Sequence, residues 1–193
     1  MDIVFVTNNI NKLFEIKNLV SSHYNVLSLR DINFNDEIEE TEITLKGNAL
    51  LKARHIYHHQ NCNCFADDTG LVIDALDGRP GVYSARYAGP KCNATDNIKK
   101  VLSELDQIEN RKAKFVTIIA LILNGKEYFF EGKCEGVITK EPSGKEGFGY
   151  DAIFRPLNSN LTFAEMNQID KGKISHRGIA VRKLIAFLKK QKI

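Results

Sequence analysis

Two long apolar-rich runs, FVTIIALIL and KEYFFEGKCEGVIT, are separated only by Asn124-Gly125, and no other feature of the sequence constrains the fold as much. Asn-Gly accepts the positive φ angles that a two-residue turn between antiparallel strands needs, so the runs predict a long β-hairpin. Ahead of it, strands and helices alternate. Residues 3–6 read as a buried strand, and Leu13, Ile16 and Val20 recur at helical spacing. Thr7-Asn8-Asn9-Ile10-Asn11-Lys12 is then the turn into a first helix. Residues 25–29 alternate like a second strand, and Leu45, Ala49, Ala53 and Ile56 share one face of a second helix, with Lys52 off that stripe. Residues 93–108 predict a third helix with Ile98, Val101, Leu102 and Leu105 inward. The segment CFADDTGLVIDALDGRPG predicts two apolar pieces, broken by a turn at Asp67-Asp68-Thr69-Gly70 and again at Gly78, Pro80 and Gly81. GFGYDAIFRP reads as a glycine loop entering a short strand, and Ser175 can cap a last helix with Val181, Leu184, Ile185 and Leu188 inward. The sum is an α/β fold with a mixed sheet.

At 193 residues, 43% hydrophobic and 26% charged, the chain suits one globular domain over 1–193. A net charge of +3 is too small to argue for a nucleic-acid surface. The start enters a strand without a basic region before it, and FVTIIALIL is about half the length needed to span a bilayer, so we expect no membrane association and a cytoplasmic protein. Cys62, Cys64, Cys92 and Cys134 give no compact disulfide framework. In HIYHHQNCNC, His55, His58, His59, Cys62 and Cys64 could hold a soft metal, but Cys-x-Cys lacks the two-residue gap of most zinc knuckles, and a polar helix end is the simpler reading.

The chemistry gathers where charge sits awkwardly. Lys12 falls in the first turn of a helix, at the positive end of its dipole, and His176 and Arg177 do the same at SHRG, with Lys171 and Lys173 upstream. Either solvent screens these cations or one polyanion bound by both helix starts removes the penalty. Asp67 and Asp68 are adjacent carboxylates that resist joint ionisation unless a cation or donor compensates; Mg²⁺ is a natural compensator, an Asx-type turn the alternative. On an extended backbone only one of the two faces a given ligand. The acidic stretch DINFNDEIEETE is either a solvated loop or a place where one carboxylate reaches into a site. In GFGYD, Phe148 and Tyr150 flank a glycine and could stack on a purine while Asp151 accepts hydrogen bonds; alternatively they are core residues beside a bulge.

Together these segments resemble the inosine triphosphate pyrophosphatase family over nearly the whole chain. TNNINK matches the family's Thr-x-Asn-x-x-Lys, and ETEITLKGNALLKAR, FADDTGLVIDALDGRPGVYSARYAG, GFGYDAIF and SHRG follow in the family's order. The resemblance implies an elongated mixed β-sheet flanked by helices, with two lobes around a central nucleotide-binding cleft, and a homodimer. It also implies Mg²⁺-dependent hydrolysis of non-standard purine nucleoside triphosphates (ITP, dITP, XTP) to monophosphate and pyrophosphate. Carried over residue by residue, Thr7, Asn8, Asn9, Ile10, Asn11 and Lys12 would hold the phosphates, with Lys52 pointing toward them. Asp68 would be general base or metal ligand, supported by Asp67, with Glu40 binding metal and Thr69 touching substrate. Phe148, Gly149, Tyr150, Asp151, Lys171, His176 and Arg177 would surround base and sugar, and donors from His176 or Arg177 would favour a 6-oxo purine. Departures are Thr69 where serine is common, Gly47 where many relatives carry glutamate, and Tyr150 where some carry tryptophan. A Maf-like nucleotide pyrophosphatase or a non-catalytic nucleotide-binding protein are the competing readings.

Overall fold

The structure is a computed structural model and describes residues 2–20 and 24–191. Among these, six strands form one mixed sheet in the order β2-β1-β3-β4-β5-β6. They are β1 (Asp2–Val6), β2 (Asn25–Leu27), β3 (Cys64–Ile73), β4 (Lys112–Leu123), β5 (Lys126–Ile138) and β6 (Phe154–Pro156). β1 is parallel to β2 and β3, whereas β5 and β6 are antiparallel. Between β4 and β5, Asn124 and Gly125 take φ angles of 50° and 77°, the left-handed pair that the two-residue turn demands. Helices α1 (Ile10–Leu19), α2 (Leu45–Gln60), α3 (Ala94–Glu104), α4 (Gln168–Ile174) and α5 (His176–Leu188) complete the α/β architecture. None of the described helices is long and apolar enough to cross a membrane.

Several elements differ from the sequence reading. β3 runs unbroken through Asp67-Asp68-Thr69-Gly70, where a turn was expected. Polar residues signal a turn when they seek water; here both carboxylates are buried and partnered, so the backbone stays extended. β2 stops at Leu27, and α3 stops at Glu104, with Leu105 as its cap and Gln107 in the left-handed region. Helix α4 was not anticipated. It is short and polar, so apolar periodicity cannot reveal it; Asn167 starts it by accepting the Asp170 amide. Lys171 and Lys173 therefore sit in its last turn, on the favourable end of its dipole, and do not share the penalty assigned to SHRG.

The chain divides into two compact units. The first comprises Met1–Asp68, Thr117–Gly132 and Arg177–Ile193, the second Thr69–Val116 and Lys133–His176. In the first, strand alternation separates two cores. Ile3 and Phe5 of β1, Phe65 of β3 and Ile119 and Leu121 of β4 pack with Ile16 of α1 and Val181 and Leu184 of α5. Val4, Val6, Cys64, Ala66, Ala120 and Ile122 face the other way, onto Ala49, Ala53 and Ile56 of α2. Phe5 and Phe65, paired in register, stack with ring centroids 4.8 Å apart, which adds about 0.5–1.5 kcal/mol to their burial. In the second unit, Leu71, Ile73, Val101, Leu105, Phe115, Ile153, Phe154 and Phe163 form one core.

Candidate functional site

Because β3 carries Phe65 into the α1/α5 core and Ala66 into the α2 core, alternation sends Asp67 toward α1 and α5 and Asp68 toward α2. Their contacts follow that division. Lys12 Nζ donates to Asp67 Oδ1 at 3.0 Å, and Arg177 Nε donates to Asp67 Oδ2 at 3.2 Å. Arg177 Nη1 also donates to Glu15 Oε2, and Glu15 lies three residues beyond Lys12 on α1, within reach of the same face. Asp67 is 1% and Arg177 2% exposed. Burial by itself would push the Asp67 carboxyl up, but Lys12, Arg177 and Lys52 hold it well below the usual carboxylate range. For Lys12, burial and the neighbouring Lys52 and Arg177 outweigh Asp67, so its ammonium is lowered.

These contacts correct the argument from helix starts. The penalty on Lys12 and Arg177 is offset first within the chain, by Asp67 and Glu15, rather than only by a bound polyanion. The turn before Lys12 is built locally: Thr7 Oγ1 accepts the Asn9 amide and Asn9 Oδ1 accepts the Lys12 amide, both at 3.1 Å. Asn8, Asn9, Ile10 and Asn11 remain exposed around it, and Thr7 and Lys12 are half-buried.

On the other face, Asn48 Nδ2 donates to Asp68 Oδ2 at 3.2 Å. One helical turn later Lys52 Nζ donates to Glu40 and to the Asp67 carbonyl, the latter at 2.8 Å. Glu40 is thus the carboxylate of the acidic stretch that reaches inward, while Asp36, Glu37, Glu39 and Glu42 are exposed. Burial pushes Asp68 up; Lys52 and Lys12 pull it back, Glu40 and Asp67 push it further, and it ends above its ordinary value. Burial would lower Lys52, but Asp68, Glu40 and Asp67 raise it on balance.

The second unit holds the remaining candidates. Lys171 Nζ donates to Asp151 Oδ2 at 2.7 Å, and lies 5.1 Å from the Phe148 ring centroid and 5.6 Å from that of Phe163. Asp151 Oδ2 also accepts the Phe148 amide at 2.8 Å, closing the glycine loop. A Cβ on Gly147 would fall 2.2 Å from that oxygen, so this glycine makes room for Asp151. Gly149 meets no such crowding, and its φ of 61° is what glycine supplies there. Tyr150 is a core residue whose hydroxyl donates to the Ser84 carbonyl at 2.8 Å, which corrects the expectation that it presents a stacking face. Phe148 is the half-buried aromatic of the loop. His176 is buried and stacks on Phe115 at 4.4 Å, and Thr69 is half-buried on β3. Arg177 commits Nε and Nη1 to carboxylates.

Sequence reasoning missed Glu15 and Asn48. An acid three residues beyond Lys12 on the same helix, and a polar residue inside the apolar face of α2, were the available signals. Among the described residues no group of three or more His, Cys, Asp and Glu could hold a metal ion. In the HIYHHQNCNC segment, Cys64 donates to the Ala53 carbonyl at 3.2 Å and burial pushes its thiol up to about 12, while His55 and His59 stack at 4.3 Å along the end of α2.

The Ham1 family model matches residues 3–187. A protein of Christiangramia forsetii named dITP/XTP pyrophosphatase is 52% identical over 98% of this chain and 100% of its own length. A Flavobacterium johnsoniae protein of the same name is 50% identical over 97% of this chain and 98% of its own. The solved structure of the Staphylococcus aureus Ham1 protein superimposes with a TM-score of 0.90 at 36% identity, covering all of both chains. With a family model matched almost from end to end and relatives about half identical over their full length, the chain belongs to the Ham1 family.

Proposed function

We propose that this protein hydrolyses non-standard purine nucleoside triphosphates (ITP, dITP, XTP and dXTP) between the α and β phosphates, releasing the monophosphate and pyrophosphate. The observation that carries the proposal is Asp68, a buried carboxylate held by Asn48 with the charges of Lys52 and Lys12 acting on it. The names of the relatives supply the substrate class. A carboxyl raised above the ordinary range is better matched to accepting a proton near neutral pH. In the proposed step Asp68 takes a proton from water as its oxygen bonds to the α-phosphorus. The bond from that phosphorus to the bridging oxygen breaks, and pyrophosphate leaves with the electron pair. Lys12 and Lys52 neutralise the charge that gathers on it, and the amides of the Thr7–Lys12 turn bind phosphate oxygens.

Glu40 and Asp68 suit a hard dication. Each raises the charge problem of the other, and two carboxylates with the remaining positions left to phosphate oxygens and water is a donor set Mg²⁺ accepts. When bound, it would neutralise phosphate charge as a Lewis acid. In the second unit, Phe148, with Lys171 beside it, is proposed to stack on the base, with Asp151 and Gly149 shaping the loop and His176 a donor to a 6-oxo group. A site left with a buried unpaired donor by the adenine amino group would discriminate strongly against ATP. We further propose a cytoplasmic homodimer that binds neither nucleic acid nor membrane; its mass in solution tests the dimer.

A pyrophosphate-release panel tests the activity. With Mg²⁺, ITP, dITP and XTP are expected to be cleaved at least about 100-fold faster, by kcat/KM, than ATP or GTP, and chelation is expected to abolish release. Equal rates on all of them, or orthophosphate as first product, would sink the proposal. Preference for pyrimidine or methylated nucleotides would replace it with a Maf-like activity.

A further inference from the structure

We propose that Asn48 is the positioning residue of the Asp68 carboxylate, and that in this chain Glu42 sets Asn48 through a clamp that closes over Gly47; this rests on the reading of Asp68 above. Asn48 lies on the buried face of α2 and is 0% exposed. Asparagine is a mediocre helix former, and an amide buried without partners costs about 1–3 kcal/mol, so its presence needs both ends satisfied.

Both are. The Glu42 amide donates to Asn48 Oδ1 at 2.9 Å, and Asn48 Nδ2 donates to Asp68 Oδ2 at 3.2 Å. The orientation of the side-chain amide follows from chemistry: a backbone N–H can only donate, so the atom facing Glu42 is the oxygen, and the NH₂ is turned to the carboxylate. The terminal torsion of an aspartate is broad, and a donor fixed on one oxygen pins the plane and thereby aims the other oxygen. The chain Glu42 amide, Asn48, Asp68 thus ties the direction of the carboxylate to the backbone that precedes α2.

Gly47 is the other half of the clamp. A Cβ there would fall 2.8 Å from Glu42 Cβ and 2.9 Å from Glu42 Oε2. Glu42 folds over the bare backbone of residue 47, close to the start of α2, where Thr44 Oγ1 accepts the Gly47 amide at 3.0 Å. A side chain at 47 makes Glu42 shift and so is expected to loosen its amide from Asn48.

Steady-state kinetics on ITP with saturating Mg²⁺, with amide hydrogen exchange and melting on the protein alone, test this. Asn48→Ala is expected to lower kcat by about 10–100-fold with KM within about threefold, because misaiming a reacting group acts on the transition state more than on binding. Asn48→Asp keeps the acceptor for Glu42 but sets a second buried acid against Asp68, so it should retain Glu42 amide protection while melting lower than wild type and losing at least as much kcat. Gly47→Ala should lower kcat by about tenfold, and adding Glu42→Gly, which removes the clashing Cβ, should recover most of it. A residue that only filled space would show no such rescue and no split between kcat and KM. Full turnover in Asn48→Ala while Asp68→Asn is dead would overturn this inference alone. Full turnover in Asp68→Asn would overturn it together with the reading of Asp68.

Discussion

Asp68→Asn is expected to lower kcat on ITP by about 10³-fold or more while the nucleotide still binds. The substitution changes no volume, and an asparagine at 68 can still meet Asn48 by presenting its oxygen, so the surroundings keep their shape. What disappears is the carboxylate charge, and with it both the ability to take a proton from the attacking water and one of the two carboxylates proposed to hold Mg²⁺. Lys12, Lys52 and the turn at Thr7–Lys12 are untouched, so affinity for the triphosphate persists. The wild-type rate should also fall as pH drops through the Asp68 pKa. Because burial holds that group above the ordinary carboxylate range, the fall begins at higher pH than for an exposed aspartate. Turnover in the variant within about tenfold of wild type would remove Asp68 from the role of base.

Arg177→Met is the second large effect, and it falls on stability. Arg177 is buried between Glu15 and Asp67, so its removal takes one buried cation from two carboxylates at once, while Asp67 keeps Lys12. Breaking a buried pair from one side costs about 3–5 kcal/mol, which for a chain of this size lowers Tm by roughly 10 °C. Lys12→Ala is a milder break: Asp67 keeps Arg177, and Lys12 is 14% exposed, so water partly replaces it. That variant should lose triphosphate affinity more than fold stability. The pH dependence has a definite sign. Asp67 has a depressed folded pKa, so its contribution is present above the unfolded value near about 4 and is lost as pH falls through the folded one. In Arg177→Met the two carboxylates that lost the guanidinium can protonate as the solution is acidified. The gap in Tm between the two proteins should therefore be wide at neutral pH and narrow below about pH 4. A Tm within about 1 °C of wild type at pH 7 would show that the buried pair contributes little.

Much of this arrangement was legible before any coordinates. The Asn124-Gly125 hairpin, the strand-turn-helix at TNNINK and the inward faces of α2 and α5 follow from period and turn chemistry, because these are local properties of the backbone. The errors came where side chains met distant partners. Asp67-Asp68-Thr69-Gly70 looked like a turn because local reasoning assumes that carboxylates go to water, and here cations and an amide meet them inside. Tyr150 looked like a stacking platform because an aromatic next to glycine has no visible partner in sequence, whereas its hydroxyl reaches Ser84 across 66 residues.

The same division runs through the site. That the backbone is extended at Asp67 and Asp68 came from the structure; sequence alone determined that two adjacent aspartates face opposite sides wherever the backbone is extended, since side chains alternate along any strand. It also placed Lys12 and Arg177 in first helical turns, where a cation needs an anion nearby. Only the tertiary structure decided which anion. Arg177 comes from 110 residues beyond Asp67 and 162 beyond Glu15, and pairing over such separations is set by how α1 and α5 pack on one face of the sheet. Ion pairs depend on distance in space, and a linear pattern carries that information only within a few residues.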